Sequence, residues 1–245
     1  MIKQSQPPYM DILFNKIYNN QTICEVLDDP RMVQLTGFFA TNKLIKDMLR
    51  DISKNAHVLQ IGLTFGNEIS AVYNKVHQHG KLDIFDLSEA QINLAEKKYA
   101  DYNMTITNYD ASMPWDEKYD IVICYNLLHE LPLKTRATVI GNALNSLTTG
   151  GKAIFVDYAQ PETWNPIKYP LKWFNRLYRP FTESLWLQPL ENFCLQKDEY
   201  RWHHTYYHGH TFQKTVAVRK ILNSEDVLKL TKLFYNKDTS KKHPQ

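Results

Sequence analysis

Five short apolar runs, interleaved with helical patterns, constrain this chain more than any other feature. HVLQI (57–61), KLDIFDL (81–87), MTITNYD (104–110), YDIVICYNL (119–127) and KAIFVDY (152–158) read as strands. Strands one, two and four lead into helix-like stretches: ISAVYNKVHQ, EAQINLAEKKYADY with Ser88 as its N-cap, and KTRATVIGNALNSL, read as ended by Gly150 and Gly151. The fourth run is nearly all apolar, as a strand covered on both faces should be. Such alternation predicts an α/β fold with a doubly wound, mainly parallel, Rossmann-like sheet. Ahead of it, Leu44, Ile45, Met48 and Leu49 recur at helical spacing, so Val33–Ile52 reads as one helix.

At 245 residues the chain has room for one such domain and an appendage. A net charge of +3 is too small to argue for nucleic acid, which is excluded as a partner, while anionic headgroups stay compatible. Cys24, Cys124 and Cys194 are far apart and lack metal-ligand spacing, so they read as reduced thiols in a cytoplasmic protein. MIKQSQPPYMD has no apolar core and is no signal peptide, and no run reaches the roughly 20 apolar residues of a membrane span. Sequence fixes no oligomeric state.

The texture changes after Tyr158. Residues 160–200 carry Trp164, Trp173, Phe174, Tyr178, Phe181, Trp186 and Phe193, interleaved with Lys168, Lys172, Arg176 and Arg179. Aromatics with basic neighbours suit either an interfacial helix or a lid packed on the sheet. HTYYHGHTFQKTVAVRK then reads as a hairpin turning at Gly209, and SEDVLKLTKLFY as a charged terminal helix. The predicted organisation is a helical cap at 1–52, a ligand-binding domain at 53–220 with 160–200 as its aromatic insertion, and a terminal helix and tail at 221–245. A short helix signal, MDILFNKIY, falls within the cap.

Ligands of open α/β sheets sit beyond the carboxyl ends of the strands, where strand order reverses. Gly62 and Gly66 follow the first strand and let backbone approach a ligand. Asp86 ends the second strand, where it can accept hydrogen bonds from a ribose diol. Asp110, before Ala111, stands where an adenine amino group needs an acceptor, and Asn126 with Leu-Leu-His-Glu caps the fourth strand. Residues 61–67 lack G-x-G-x-x-G, so a nicotinamide cofactor is the weaker choice.

These residues carry a family resemblance. Residues 58–158 resemble a class I S-adenosylmethionine-dependent methyltransferase, in which the position of Gln60 is usually Asp or Glu. A narrower likeness reaches from the N-terminal helices to Arg219. On Leu59-Gln60, Leu127-Leu128-His129-Glu130-Leu131-Pro132, Gly150-Gly151-Lys152, Phe155-Val156-Asp157-Tyr158, Pro161, Trp164, Pro166, Pro180-Phe181, Leu185-Trp186 and Gln213-Lys214, the chain resembles the rhodoquinone-biosynthesis RquA family. It departs from that family at Ile61-Gly62-Leu63-Thr64-Phe65-Gly66-Asn67 and at the hairpin Tyr206-Tyr207-His208-Gly209-His210-Thr211-Phe212.

The resemblance implies conversion of ubiquinone to rhodoquinone, an amino group replacing a ring methoxy group. S-adenosylmethionine is then the amino donor and manganese is required, while the aromatic and basic insertion, if interfacial, sets a peripheral contact at the inner face of the cytoplasmic membrane as an expectation. It implies cofactor contacts from Gln60, Gly62, Thr64, Gly66, Asp86, Leu87, Asp110, Ala111 and Asn126, and catalytic roles for His129, Glu130, Asp157 and Tyr158. Oxygen and imidazole ligands suit manganese, which makes His129, Asp157 and His208 the metal candidates, with Glu130 and His210 as further options. The residues add one argument of their own. A carboxylate raises the pKa of a nearby ammonium, and an amine must be neutral to attack, so an amide at Gln60 favours a nucleophilic amine. Two other readings remain open: a conventional methyltransferase acting on a quinone or another small molecule, and a non-catalytic quinone- or cofactor-binding protein.

Overall fold

The computed structural model describes residues 18–178 and 181–220. The helix signal at MDILFNKIY except for its last residue, Tyr18, the terminal helix of SEDVLKLTKLFY, and Arg179 and Pro180 lie outside them.

The five sequence-predicted strands form as β1 (His57–Ile61), β2 (Lys81–Asp86), β3 (Thr105–Asn108), β4 (Tyr119–Tyr125) and β5 (Leu147–Tyr158). The hairpin follows as β6 (Tyr200–Tyr207) and β7 (Phe212–Arg219). They make one seven-stranded sheet in the order β3-β2-β1-β4-β5-β7-β6. Pairing is parallel from β3 through β5, while β7 runs antiparallel to both β5 and β6. Strand order therefore reverses between β1 and β4, which puts the ligand crevice beyond Ile61 and Tyr125.

Period-two alternation sends neighbouring residues to opposite faces. Val58, Ile121, Ile123, Ile154 and Val156 join one core with Leu44, Met48, Ile69, Val72 and Val76. Leu59, Val122, Cys124, Ala153 and Phe155 join the other with Val139, Ile140, Ala143 and Leu144. The helices up to the insertion are α1 (Gln21–Leu27), α2 (Pro30–Thr36), α3 (Thr41–Met48), α4 (Glu68–Val76), α5 (Glu89–Lys98) and α6 (Leu133–Asn145), and α3, α4 and α6 supply the helical residues of these cores. Ser88 caps α5 as its sequence suggests, its hydroxyl accepting from the Gln91 N–H at 3.1 Å. In the insertion lie α7 (Lys168–Tyr178) and α8 (Thr182–Trp186).

Two expectations are corrected. Val33–Ile52 is not one helix: α2 stops at Thr36, and Phe38 and Phe39 take positive φ (48° and 58°) before α3 begins. The apolar spacing spans the break, but that left-handed pair cannot continue a right-handed helix. Gly150 and Gly151 do not end α6 either. It stops at Asn145, and both glycines lie inside β5, with Gly150 at φ 77°. Between Leu147 and Lys152 the register of β5 on β4 shifts, so the glycines carry a bulge.

The N-terminal helices are tied to the far edge of the sheet by charge. Lys214 on β7, 8% exposed, pairs with Asp47 and Asp51, and the Tyr207 hydroxyl donates to Asp47 as well.

Candidate active site

The loop after β1 turns on two left-handed glycines, Gly62 at φ 85° and Gly66 at φ 87°. A Cβ on Gly62 would lie 3.4 Å from the Leu127 side chain, and one on Gly66 would lie 2.9 Å from Val33. The loop is thus wedged between the segment after β4 and the N-terminal cap. Asp28 accepts from the Gly66 N–H at 2.7 Å, and Lys98 bridges Asp28 to the Gly66 carbonyl at 2.7 and 2.6 Å. Tyr18 stacks on Phe65 with ring centroids 6.1 Å apart, donates its hydroxyl to Glu130, and accepts at its carbonyl from Ser88 Oγ. Sequence reading passed over Tyr18, Asp28 and Lys98, because no motif marks a cap residue that reaches across the chain.

Gln60 is fully buried, with its amide donating to Glu68 Oε2 at 3.3 Å and to the Gly62 carbonyl at 3.4 Å. Thr64 Oγ1 donates to the same Glu68 oxygen at 2.8 Å. Glu68 is the residue that the sequence reading missed. Burial pushes its carboxyl up to about 7, against a smaller downward pull from Thr64. Its signal was legible: with Ile69 it is buried at the start of α4, and it sits four and eight residues before the core residues Val72 and Val76. An acid on the core stripe of a helix has a reason to be there.

Asp86 clamps the loop. Its Oδ2 accepts from the Leu63 N–H and its Oδ1 from the Ser88 N–H, both at 2.6 Å. Each oxygen keeps a second lone pair, so the clamp leaves acceptor capacity for a diol. Burial raises its carboxyl to about 6, opposed by those backbone donors and assisted by the Glu130 charge. Leu87 follows it, its carbonyl accepting from Asn108 Nδ2 at 3.3 Å. Asp110 follows β3 in a turn where its Oδ1 accepts from the Ser112 N–H at 2.8 Å, and Ala111 beside it is buried. Asn126 adopts φ 53°, and its buried Oδ1 has no hydrogen-bond partner. The predicted cofactor residues therefore come from the carboxyl ends of β1, β2, β3 and β4.

His129 sits in a short 3-10 turn, Leu128–Glu130, directly after β4. Its Nδ1 meets Asp157 Oδ1 at 2.7 Å, and its backbone N–H donates to Asp157 Oδ2 at 3.2 Å. Both side chains are 1% exposed. An Asp157 carboxylate assigns the proton to Nδ1, which leaves Nε2 as a lone-pair acceptor. That Nε2 is buried without a hydrogen-bond partner, with Glu130 Oε1 3.6 Å away. Tyr158 meets the His129 ring edge-on at 4.9 Å, and Phe212 and Phe38 continue the aromatic wall at 4.9 and 6.5 Å.

Arg136 on α6 holds the histidine turn from behind. It is fully buried and donates to the carbonyls of Leu128 at 2.8 Å, Leu131 at 2.9 Å and Phe181 at 2.8 Å. Burial lowers its guanidinium to about 10.

The metal set expected from sequence is not assembled. Among the described residues the ligand atoms of His129, Asp157 and His208 do not group within 4.8 Å. Asp157 already accepts from His129 and from the Tyr158 N–H at 2.6 Å, and His208 occupies the left-handed hairpin tip at φ 50°. The set that does group is His57, Asp83 and Glu117, at the opposite side of the sheet, where Lys81 already binds Asp83 at 3.0 Å. No step through a metal follows from these residues.

The insertion divides its aromatics. Phe193 is buried and Trp186 packs against both cores, whereas Trp164, Tyr169 and Trp173 are 73%, 72% and 67% exposed. No helix among the described residues is long and apolar enough to cross a membrane.

Comparison with known proteins agrees with this architecture. Residues 58–151 match a family described as "Methyltransferase domain". An O-methyltransferase family protein from Burkholderia thailandensis superposes with a TM-score of 0.62 at 13% identity, covering 86% of this chain and 63% of that one. A SAM-dependent methyltransferase from Aquifex aeolicus gives a TM-score of 0.54 at 16% identity, covering 82% and 99%. Magnesium protoporphyrin IX methyltransferase from Synechocystis PCC 6803, with bound SAH, gives 0.50 at 16% identity, covering 73% and 81%. The chain thus spans less than two thirds of the Burkholderia protein. No curated protein sequence matches it. The shared feature is the class I methyltransferase fold.

Proposed function

We propose that the chain is an S-adenosylmethionine-dependent transferase that methylates a small, flat acceptor. The observation that carries this reading is the Asp157–His129 dyad, whose Nε2 has no hydrogen-bond partner, in the segment after β4 that packs its Leu127 against Gly62. The residues fit the cosubstrate chemically. Gly62 leaves room for backbone approach, Asp86 keeps acceptor lone pairs, and Gln60 Oε1, Glu68 Oε1 and Asn126 Oδ1 are buried without donors.

When bound, the cosubstrate supplies an electrophilic methyl group on a sulfonium centre. His129 Nε2 would take the proton of an acceptor hydroxyl as that oxygen is methylated. Asp157 holds the ring in the accepting tautomer and steadies the imidazolium that forms. The Tyr158, Phe212 and Phe38 wall favours an aromatic or quinoid acceptor.

A second reading keeps the amination of ubiquinone, supported by Gln60 and by the resemblance to the RquA family. The exposed Trp164, Tyr169 and Trp173, with Lys172 and Arg176, support docking at an anionic membrane surface in either case. Mass spectrometry separates the two reactions. The purified protein is incubated with S-adenosylmethionine and either ubiquinone or its O-demethylated hydroquinone, with and without manganese. Methyl transfer yields a hydroquinone heavier by one methylene and S-adenosylhomocysteine, whereas amination yields a lighter quinone. Unchanged acceptors and no S-adenosylhomocysteine across varied detergents and acceptors would contradict both.

A further inference from the structure

The Gln60–Thr64–Glu68 cluster is half satisfied in an informative way. Gln60 and Glu68 are both 0% exposed, and both donors present, Gln60 Nε2 and Thr64 Oγ1, converge on one Glu68 oxygen, Oε2. Glu68 Oε1 and Gln60 Oε1 have no hydrogen-bond partner. Among the described residues no cationic side chain pairs with Glu68, and Lys98, which braces the same loop, binds Asp28 and the Gly66 carbonyl. The titratable neighbours that feel the Glu68 charge are Tyr99 and Tyr125, and burial already pushes both phenols up, away from ionisation. A buried carboxyl with one oxygen braced and the other unserved is the arrangement expected of a receptor for a cation.

We propose that Glu68, braced by Gln60 and Thr64, supplies the negative charge for the α-ammonium group of S-adenosylmethionine, the anion having moved from strand position 60 to the first turn of α4. This rests on the cofactor reading above. An ammonium carries three N–H donors, and Glu68 Oε1, Gln60 Oε1 and the Gly62 carbonyl are three acceptors on one short stretch of chain. The glutamine then acts as a positioning residue, an amide able to orient the carboxyl without adding a second charge to a buried site. One consequence bears on the chemistry. A carboxyl at Glu68 restores the charge that an amide at position 60 removes, so the bound amine stays protonated and is a poor nucleophile. That favours methyl transfer over amination.

Calorimetric titration tests the assignment with two ligands. S-adenosylhomocysteine carries the amino-acid end, and 5′-methylthioadenosine lacks it. Glu68→Gln should weaken S-adenosylhomocysteine about 10- to 100-fold and leave 5′-methylthioadenosine unchanged. The exchange variant Gln60→Glu/Glu68→Gln, which returns the charge to the strand, should recover affinity for S-adenosylhomocysteine. Equal affinity of Glu68→Gln and wild type for S-adenosylhomocysteine would overturn the assignment. So would equal weakening of both ligands, or an exchange variant that recovers nothing. Wild-type protein that binds neither ligand would overturn the cofactor reading itself, and this inference with it.

Discussion

Glu68 and His129 are each buried with one unanswered polar atom, and at the scale of single residues they carry the account. Burial holds the Glu68 carboxyl up from 4.5 to about 7, so the folded chain keeps a proton that the unfolded chain releases. The sign follows from linkage. Its contribution is complete below about pH 4.5, falls as pH rises to about 7, and is gone above. Asp86, raised from 3.8 to about 6, acts in the same direction at lower pH. Between pH 5 and pH 8 the Glu68 proton accounts for about 2–3 kcal/mol of stability. Urea unfolding should therefore show wild type losing more stability than Glu68→Gln across that interval. Parallel losses would mean that Glu68 is ionised throughout. For His129, replacement by Asn should lower kcat about 10²- to 10⁴-fold while leaving S-adenosylhomocysteine affinity intact, as loss of a base should. Weaker ligand binding with unchanged turnover would assign His129 to the cofactor instead. Sequence made His129 and Asp157 visible because each ends an apolar strand. Glu68 was hidden by attention to Gln60: the missing acid was conspicuous in the loop, and its replacement lay in the helix eight residues on.

At the scale of elements, what holds the histidine turn is a side chain with no motif at all. Arg136 reaches from α6 to three carbonyls, two around the Leu128–Glu130 turn and one at Phe181. Charge-assisted bonds of this kind are strong, and their loss would leave buried carbonyls unserved. Arg136→Met should destabilise the fold by about 3 kcal/mol, read as a lower urea midpoint with an unchanged slope. A loss under about 1 kcal/mol would mean that water replaces the guanidinium freely. Elements with clean periodicity were legible: β1 and the core stripe of α4 follow directly from their apolar spacing. The α2–α3 break was not, because the same spacing continues across Phe38 and Phe39 and only their backbone reveals the turn. Gly150 and Gly151 misled for a related reason, since glycine marks a helix end and a strand bulge equally well.

For the whole molecule, the order β3-β2-β1-β4-β5-β7-β6 gathers the carboxyl ends of β1, β2, β3, β4 and β5 along one edge, and the cap closes over the glycine loop through Tyr18, Asp28 and Val33. Alternation of strands and helices made that arrangement readable, along with the hairpin that finishes the sheet. The cap's contacts were not readable, because Lys214 with Asp47, and Gly66 with Asp28, join residues far apart in sequence. This edge is the proposed receptor for S-adenosylmethionine. A thermal unfolding series with S-adenosylhomocysteine tests it most directly, because a ligand that binds only the folded chain stabilises it by mass action. At about 100 times its dissociation constant the ligand adds about 2.7 kcal/mol, a rise of about 5–10 °C in Tm for a chain of this length. A saturable rise of that size is the predicted result, and an unchanged Tm at millimolar ligand would contradict the claim.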